Sequence, residues 1–333
     1  MDKIKEDNKH VIYRPTDKNL WTGRKTNSEK GLQYWYQAIQ CIQLEKGSFP
    51  AENDHKRFAL IGYVCDEGVR RNQGRIGAEL GPTALRKSLG KVALHFENKS
   101  IFDVGDIVCI ENRMEACQKR LSHQITELLE QNITPIAIGG GHDIAFAHFN
   151  GIYNYVKDQP KNKIGIINFD AHFDLRPIEL QANSGTPFNQ INTLLKEVDQ
   201  AFNYFVVGIQ PPNNTKELFD IAKDLKVDYV LHSDCEIAKV EYINNQLDEF
   251  ISKVDHLYIT VDLDGFSSAY VSGVSAPSPL GFAPSFFFKI FDHLLQSKKV
   301  ISIDIAELNP TFDRDGQTAN LASKIVDYTV LNR

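Results

Sequence analysis

The chain has 333 residues, of which 42% are hydrophobic and 24% are charged, and its formal net charge is −6 at pH 7. This composition is ordinary for a soluble globular protein, and the acidic balance disfavours nucleic acid as a partner, because nucleic acid favours a basic surface. The charged N-terminus lacks the apolar stretch of a signal peptide, and no run approaches the roughly 18 apolar residues of a membrane span, which together predict a cytoplasmic protein.

The cysteines are scattered along the chain and form no C-x-x-C pair. Their odd number and spacing indicate no disulfide framework, which fits a reducing compartment. We interpret them as thiols of the core rather than as nucleophiles. They are Cys41, Cys65, Cys109, Cys117 and Cys235.

Residues 1–55 are polar with a few aromatic side chains, which predicts an N-terminal arm packed on a main domain of residues 56–333. From residue 57 onward, short apolar runs alternate with segments of helical periodicity, and Gly, Pro or Asp bounds several of the runs. The runs predict buried strands at Phe58–Tyr63, Ile101–Val104, Pro135–Ile138, Ile164–Phe169, Tyr204–Gly208, Val227–Leu231, His256–Val261 and Val300–Ile305.

The segments between these runs predict helices. Apolar residues at helical spacing indicate one helix from about 115 to 131, another around Leu218–Leu225 and a third that opens at Pro284. Alternation of strands and helices requires crossover connections, which produce a mostly parallel sheet covered on both faces. Because no internal repeat or long flexible linker interrupts the pattern, the sequence predicts a single α/β domain.

The strand predicted at Ile164–Phe169 ends in an alternating run of side chains that can bind metal. Asp170, His172 and Asp174 occupy positions i, i+2 and i+4, so in an extended chain they point to one side. Open α/β sheets bind ligands beyond the carboxyl ends of their strands. Carboxylates with imidazole suit a divalent ion such as Mn²⁺ or Zn²⁺, although the triplet alone also fits a solvated turn with a capping Asp.

Two other predicted strands end in matching residues. Pro135–Ile138 is followed by three glycines and His142, which suits a backbone that approaches a site closely, and no G-K-[ST] follows to support a phosphate loop. His256–Val261 is followed by Asp262 and Asp264. Two charges at the end of a buried strand are costly unless they are paired or bound to metal.

Together the three strand ends offer two imidazoles and four carboxylates, which are too many for one ion. They favour a binuclear site in which carboxylates bridge two metals about 3.5 Å apart. A hydroxide held between the metals would then be the nucleophile at neutral pH. The candidate ligands are His142, Asp170, His172, Asp174, Asp262 and Asp264.

The segments Gly-Gly-Gly-His142-Asp143, Asp170-Ala-His172-Phe-Asp174 and Asp262-Leu-Asp264 resemble the three signatures of the ureohydrolases, the superfamily of arginases, agmatinases and formimidoylglutamases. The resemblance covers about residues 57–330. It implies a three-layer α/β/α sandwich around an eight-stranded, mostly parallel sheet. It also implies a homo-oligomer, because members of this family often form one.

The resemblance further implies roles for the ligands. Asp170 and Asp262 would bridge two Mn²⁺ ions in each subunit. One imidazole and one carboxylate would complete each ion, and these pairs are His142 with Asp174 and His172 with Asp264.

Residues that bind no metal bear on the substrate. Arg176 offers a cation that can bind a carboxylate through two hydrogen bonds. In arginases the matching position resembles an Asn that contacts the amino-acid end of the substrate. Phe188 stands where arginases have a His that is taken to shuttle protons, which disfavours an arginase. The stretch from Ser184 to Phe188 resembles formimidoylglutamases, and Ser184 is a candidate either to hydrogen-bond a substrate carboxylate or to cap the helix that begins near Pro187.

Two further positions complete the candidate site. Glu307 ends the last predicted strand, and its family counterpart pairs with the amidinium or guanidinium of the substrate, although the spacing alone fits a structural loop equally well. The loops 65–72, 74–78 and 273–277 resemble formimidoylglutamases. Arg75 is a candidate second cation for a dicarboxylate, with a solvated loop residue as the alternative.

The resemblance therefore implies hydrolysis of N-formimidoyl-L-glutamate, a small amidine with carboxylates, to L-glutamate and formamide, a step of histidine degradation. Glu307 would hold the tetrahedral intermediate, and Asp174 or Glu307 would move a proton to the leaving amine. One alternative is another ureohydrolase, such as an agmatinase or guanidinobutyrase, which would leave Arg176 unexplained. The other is a non-catalytic, metal-stabilised binding protein on the same fold.

Overall fold

A single sheet runs through the centre of the molecule. The computed structural model describes residues 11–27, 31–45, 49–51 and 54–333, and within these ranges ten strands form the sheet. Their bounds are β1 Val11–Arg14, β2 Gln40–Cys41, β3 Lys56–Val64, β4 Lys99–Cys109, β5 Ile133–Ile138, β6 Ile164–Phe169, β7 Asn203–Ile209, β8 Asp228–Leu231, β9 His256–Asp262 and β10 Val300–Ala306.

The strands from β3 to β10 are all parallel and lie in the order β4-β3-β5-β10-β9-β6-β7-β8. Each of these eight strands coincides with one of the apolar runs, so the predicted α/β fold with a mostly parallel sheet is confirmed. The sheet is larger than predicted, because β1 pairs antiparallel with β4 and β2 pairs parallel with it. The prediction missed both strands because they have only four and two residues and lie in the polar arm.

The predicted arm of residues 1–55 is described only in part. Residues 1–10, 28–30, 46–48 and 52–53 lie outside the described ranges. The rest of the arm supplies β1 and β2, which both lie against β4. The division between this arm and residues 56–333 remains a prediction.

Helices cover the sheet. In the described ranges they are α1 Trp35–Ala38, α2 Glu67–Arg71, α3 Gly81–Leu89, α4 Met114–Glu130, α5 Ile144–Val156, α6 Pro187–Glu197, α7 Lys216–Asp224, α8 Val240–Ser252, α9 Pro284–Gln296 and α10 Gln317–Asn332. Within the same ranges, the structure has no helix with the length and apolar character needed to cross a membrane.

Two apolar cores lie on opposite faces of the sheet. One core joins the sheet to α3, α8, α9 and α10, and the other joins it to α4, α5, α6 and α7. Successive residues of β3 alternate between them, since Phe58 and Leu60 pack in the first core while Ala59 and Ile61 pack in the second. Because both faces are covered, the central strands read as nearly continuous apolar runs.

Four neighbouring strands, β5, β10, β9 and β6, end side by side at the carboxyl edge of the sheet. After β5 the backbone passes through Gly139 and Gly140, whose φ angles of +93° and +72° would strain any residue with a side chain. A Cβ on Gly139 would also lie only 2.4 Å from Cδ of Pro82. The glycines therefore let the chain turn tightly before His142.

A buried ionic cluster joins Arg14 and Trp21 to α3 and β4. The Arg86 guanidinium, which is fully buried, donates to Asp103 at 2.8 and 2.9 Å and to Asp106 at 2.5 Å. From the arm, Trp21 Nε1 donates to Asp103 at 2.8 Å and Arg14 donates to Asp106 at 2.8 Å. Arg86 thus contacts both carboxylates and is the buried cation of the cluster.

We expect Arg86→Met to lower the free energy of unfolding by about 3–5 kcal/mol, because it leaves buried carboxylates without their buried cation. Urea denaturation of the purified variant measures this loss. The matched control is Arg14→Met, which removes an arginine that is 51% exposed and should cost about 1 kcal/mol or less. Equal losses in the two variants would contradict the assignment of Arg86 as the central cation.

Candidate metal centre

Four side chains that follow β5, β6 and β9 surround one point. The Nδ1 atom of His142 lies 3.1 Å from Asp170 Oδ2, 2.9 Å from Asp174 Oδ2 and 3.1 Å from Asp262 Oδ2. Atoms that share one ion at about 2.1 Å and at right angles to each other lie about 3 Å apart. This first group, His142, Asp170, Asp174 and Asp262, therefore has the spacing of ligands around a single ion.

A second group, made of Asp170, His172 and Asp264, lies beside the first. His172 Nδ1 is 3.2 Å from Asp264 Oδ2 and 3.4 Å from Asp170 Oδ1. Asp170 thus turns one oxygen toward each group, which is the arrangement of a bridging carboxylate. Asp262 belongs only to the first group, and its Oδ1 accepts the backbone N–H of Asp264 at 2.8 Å. Its bridging role remains a prediction.

Local hydrogen bonds shape the turn after β6. Asp170 Oδ1 accepts the backbone N–H of His172 at 2.7 Å, and Asp170 Oδ2 accepts Asn168 Nδ2 at 2.9 Å. Asp174 has a φ of 48°, a left-handed conformation that Asp adopts more readily than most residues. The convergence predicted from alternate spacing requires an extended chain from Asp170 to Asp174, but the chain is not extended throughout. The side chains of Asp170, His172 and Asp174 still converge.

These six side chains carry more negative charge than their own groups can balance. Four carboxylates face two imidazoles, so full protonation of both rings would still leave two negative charges. Burial and the neighbouring Asp262 carboxylate raise the pKa of Asp264 well above its usual range. Among the described residues, Asp264 Oδ1 is buried without a hydrogen-bond partner. Two divalent cations would balance four carboxylates and leave both imidazoles neutral, so the donor set fits a pair of metal ions.

Glu307 follows β10 and stands next to the first group. Its φ of 67° is rare for a residue with a side chain and turns the carboxylate back over the sheet edge. Glu307 Oε1 accepts the backbone N–H of His142 at 3.2 Å, while Oε2 is buried with no hydrogen-bond partner in the described ranges. Burial and the Asp262 charge raise the pKa of Glu307 to about 8. A cationic ligand beside Oε2 would lower this pKa and keep Glu307 ionised, so the unpartnered oxygen suits a cation.

Phe188, at the start of α6, packs directly on the first group. Its ring lies edge-on to His142 with centroids 5.4 Å apart and stacks on Tyr204 at 4.3 Å. The side chain is fully buried. A hydrocarbon ring at this point carries no proton and keeps water from that side of the imidazole.

Arg176, Asn72 and Ser184 form a polar chain outside the metal ligands. Arg176 Nη1 donates to Asn72 Oδ1 at 2.7 Å, and Asn72 Nδ2 donates to Ser184 Oγ at 3.1 Å. Arg176 and Asn72 line a cavity of about 780 Å³. Ser184 does not cap α6, because Thr186 is the residue that precedes this helix. Asn72 thus holds two of the predicted substrate residues at fixed positions relative to each other.

Arg75 has different neighbours from Arg176. Its guanidinium donates to the carbonyl oxygens of Val274 at 2.5 Å and Ser275 at 3.3 Å, and it lies 4.0 Å from the centre of the Phe312 ring. These contacts tie the loop of Arg75 to the loop of Val274 and Ser275. Its role as a second cation for the substrate remains a prediction.

Sequence reasoning missed several residues that contact the candidate site, among them Thr260 and Asn72. Thr260 Oγ1 lies 2.9 Å from His142 Nε2, and Asn72 contacts Arg176 and Ser184. A signal for Thr260 exists, since it is a polar residue inside an apolar strand and stands two positions before Asp262. Asn72 ends the loop 65–72 that resembles formimidoylglutamases, but no local pattern predicts its partners, which lie 104 and 112 residues away.

Known proteins resemble the chain over nearly its whole length. It is 39% identical to a formimidoylglutamase of Clostridium tetani over 320 residues, which is 95% of this chain and 95% of the relative. It is also 39% identical to a formimidoylglutamase of Legionella pneumophila over 317 residues, which is 94% of this chain and 96% of the relative.

Solved structures share the fold. A formimidoylglutamase from Bacillus subtilis superposes with a TM-score of 0.79 at 21% identity, covering 93% of this chain and 94% of that one. A formiminoglutamase of Trypanosoma cruzi with Mn²⁺ superposes with a TM-score of 0.73 at 24% identity, covering 85% and 96%. The model of the arginase family matches residues 56–331, which include every candidate ligand. Together with the similarity to the curated relatives, this match shows that the chain is a member of the arginase family.

Proposed function

We propose that this protein is a manganese-dependent formimidoylglutamase that hydrolyses N-formimidoyl-L-glutamate to L-glutamate and formamide. The observation that carries the proposal is the 39% identity to formimidoylglutamases over about the full length of both chains. The buried groups of carboxylates and imidazoles support the hydrolytic chemistry, and Arg176 supports a substrate with a carboxylate.

Two Mn²⁺ ions per chain are part of the proposal. The first group would hold one ion and the second group the other, with Asp170 shared between them and Asp262 as the second proposed bridge. When bound, the ions would supply hydroxide at neutral pH by lowering the pKa of water. The Mn²⁺ in the Trypanosoma cruzi formiminoglutamase supports this choice of metal.

Residues of the chain itself would orient the amidine and move its protons. Glu307 Oε2, which has no hydrogen-bond partner in the described ranges, would accept a hydrogen bond from the amidinium and hold the reacting carbon beside the first group. Asp174 or Glu307 would pass a proton to the leaving amine, because Phe188 has no proton to give. Closure of that side by the Phe188 ring would limit access of bulk water.

Arg176 would bind a carboxylate of the glutamate part. The bond to Asn72 Oδ1 uses Nη1 of Arg176, so the other N–H groups of the guanidinium can still donate to a carboxylate. Ser184 would add a hydroxyl donor on the same side. Arg75 would contribute less than Arg176, because its donors are engaged with backbone carbonyls. We also propose that the enzyme is a cytoplasmic homo-oligomer that acts in histidine degradation.

A substrate panel tests the function directly. The purified protein, loaded with Mn²⁺, should release glutamate from N-formimidoyl-L-glutamate and should show far lower kcat/KM with arginine, agmatine and guanidinobutyrate. A chelator should abolish the reaction, and added Mn²⁺ should restore it. Faster turnover of agmatine or guanidinobutyrate would replace this proposal with another ureohydrolase activity. Two bound Mn²⁺ without turnover of any of the four would indicate a binding protein.

We expect Arg176→Ala to lower kcat/KM for N-formimidoyl-L-glutamate about 10- to 150-fold, because a charged hydrogen-bond partner of the carboxylate is lost. This fold-change corresponds to a loss of about 1.5–3 kcal/mol of transition-state stabilisation. Steady-state kinetics measure the change. Arg24→Ala removes an exposed arginine from the arm and serves as the control that should leave kcat/KM unchanged. An unaltered kcat/KM in Arg176→Ala would remove Arg176 from the substrate site.

Glu307→Gln tests the contact with the amidinium. The variant keeps the size of the side chain but removes its charge, so kcat/KM should fall by about 10²-fold or more, as when a group that stabilises the transition state is lost. The Mn²⁺ content, measured by mass spectrometry of the metal, should stay at the wild-type value because Glu307 belongs to neither ligand group. Loss of metal together with activity would instead make Glu307 a support of the metal site.

A further inference from the structure

A buried set of polar side chains lies beneath the first group, inside strands and a helix that are otherwise apolar. Thr260 and Tyr258 belong to β9, Ser302 and Asp304 belong to β10, and His148 belongs to α5. All five side chains are fully buried. We call this set the Asp304 network. None of its members is a candidate metal ligand, yet the network reaches His142 through Thr260.

Asp304 is the acceptor at the centre of the network. Thr260 Oγ1 donates to Asp304 Oδ1 at 2.6 Å, and the Tyr258 hydroxyl donates to Asp304 Oδ2. His148 Nδ1 lies 2.8 Å from Asp304 Oδ2. Each of the two hydroxyls has a single proton, and in these bonds that proton points toward Asp304. The single hydroxyl proton of Thr260 is therefore committed to Asp304.

This commitment decides the tautomer of His142. Thr260 Oγ1 has no second proton, so at 2.9 Å from His142 Nε2 it can only accept a hydrogen bond. The imidazole must then carry a proton on Nε2. In the neutral ring, Nδ1 is left with its lone pair, and Nδ1 is the atom that faces the oxygens of Asp170, Asp174 and Asp262.

We propose that Thr260 and Asp304 are positioning residues that hold His142 in the Nε2–H tautomer and so prepare the first group to bind its metal ion. The inference rests on the proposed metal site and deepens it. Three carboxylate oxygens within 3.1 Å of Nδ1 would otherwise draw the imidazole proton to that atom. A proton there would compete with the ion for the Nδ1 lone pair.

The effect should be confined to one of the two ions. Thr260 contacts His142, whose ring belongs only to the first group. The second group uses the other imidazole, His172, which receives its nearest contacts from Asp264 and Asp170. A network that only joins β9, β10 and α5 would instead stabilise the whole fold without distinguishing the two ions.

The test compares the full-length wild-type protein with Thr260→Val, which keeps the side-chain shape and removes the hydroxyl. Thr260→Ser is the conservative rescue, since it restores a hydroxyl that can both donate and accept. Thr329→Val is the matched control, because Thr329 is also fully buried and its hydroxyl donates within α10 to Ile325 O at 2.8 Å. Thr260→Ala is a second, smaller substitution in case valine prevents folding.

Equilibrium dialysis against Mn²⁺ and electron paramagnetic resonance give the readouts. In Thr260→Val, one Mn²⁺ should bind about 10- to 100-fold more weakly, as for other changes to the partners of metal ligands, while the other ion binds as in the wild type. At limiting Mn²⁺ the signal of a spin-coupled pair should give way to that of a single ion. Thr260→Ser and Thr329→Val should retain two ions of wild-type affinity.

The inference would be overturned if Thr260→Val bound both ions as the wild type does. It would also be overturned if Thr260→Val and Thr329→Val weakened the binding of both ions equally. A Thr260→Ser variant as weak as Thr260→Val would overturn it too. These outcomes are separate from failure of the proposed function, which would appear as a wild-type protein that binds two Mn²⁺ but does not hydrolyse N-formimidoyl-L-glutamate. A wild-type protein that binds no Mn²⁺ would overturn both.

Discussion

The concentration of carboxylates at one edge of the sheet is the constraint on which the rest of the structure depends. Asp170, Asp174, Asp262 and Asp264 lie within a few ångströms of two imidazoles, and all but the partly exposed Asp174 are buried away from compensating water. Such a cluster is unfavourable unless cations or hydrogen-bond donors neutralise it. The parallel sheet makes the cluster possible, because β5, β10, β9 and β6 are neighbours that end at the same edge.

The backbone around this edge is held in conformations that would be costly elsewhere. Asp174 and Glu307 both have positive φ angles, and Gly139 and Gly140 do as well just before His142. Backbone strain of this kind persists where surrounding packing over-determines it, and it commonly marks functional sites. Here the strands beneath the edge are buried on both faces, so the sheet supplies the rigid support that holds the turns in place.

The metal ligands and the substrate residues depend on different parts of the fold. The ligands follow central strands directly, so the sheet determines their positions. Arg176 and Ser184 lie in the segment between β6 and α6, and Asn72 reaches them from the end of α2. The reaction type is thus tied to the sheet edge, while the choice of substrate is tied to contacts between loops.

The sequence by itself determined the eight parallel strands and the carboxylates and imidazoles that follow three of them, because strand periodicity and the residues at strand ends are local properties. It did not reveal β1 and β2, because these strands have few residues and are defined by their pairing with the distant strand β4. Tertiary structure alone decided that Arg75 is engaged with Val274 and Ser275, that Asn72 links Arg176 to Ser184, and that Thr260 contacts His142. These contacts join residues about a hundred or more positions apart, so no local pattern encodes them, and their geometry exists only once the sheet has brought the strand ends and loops together.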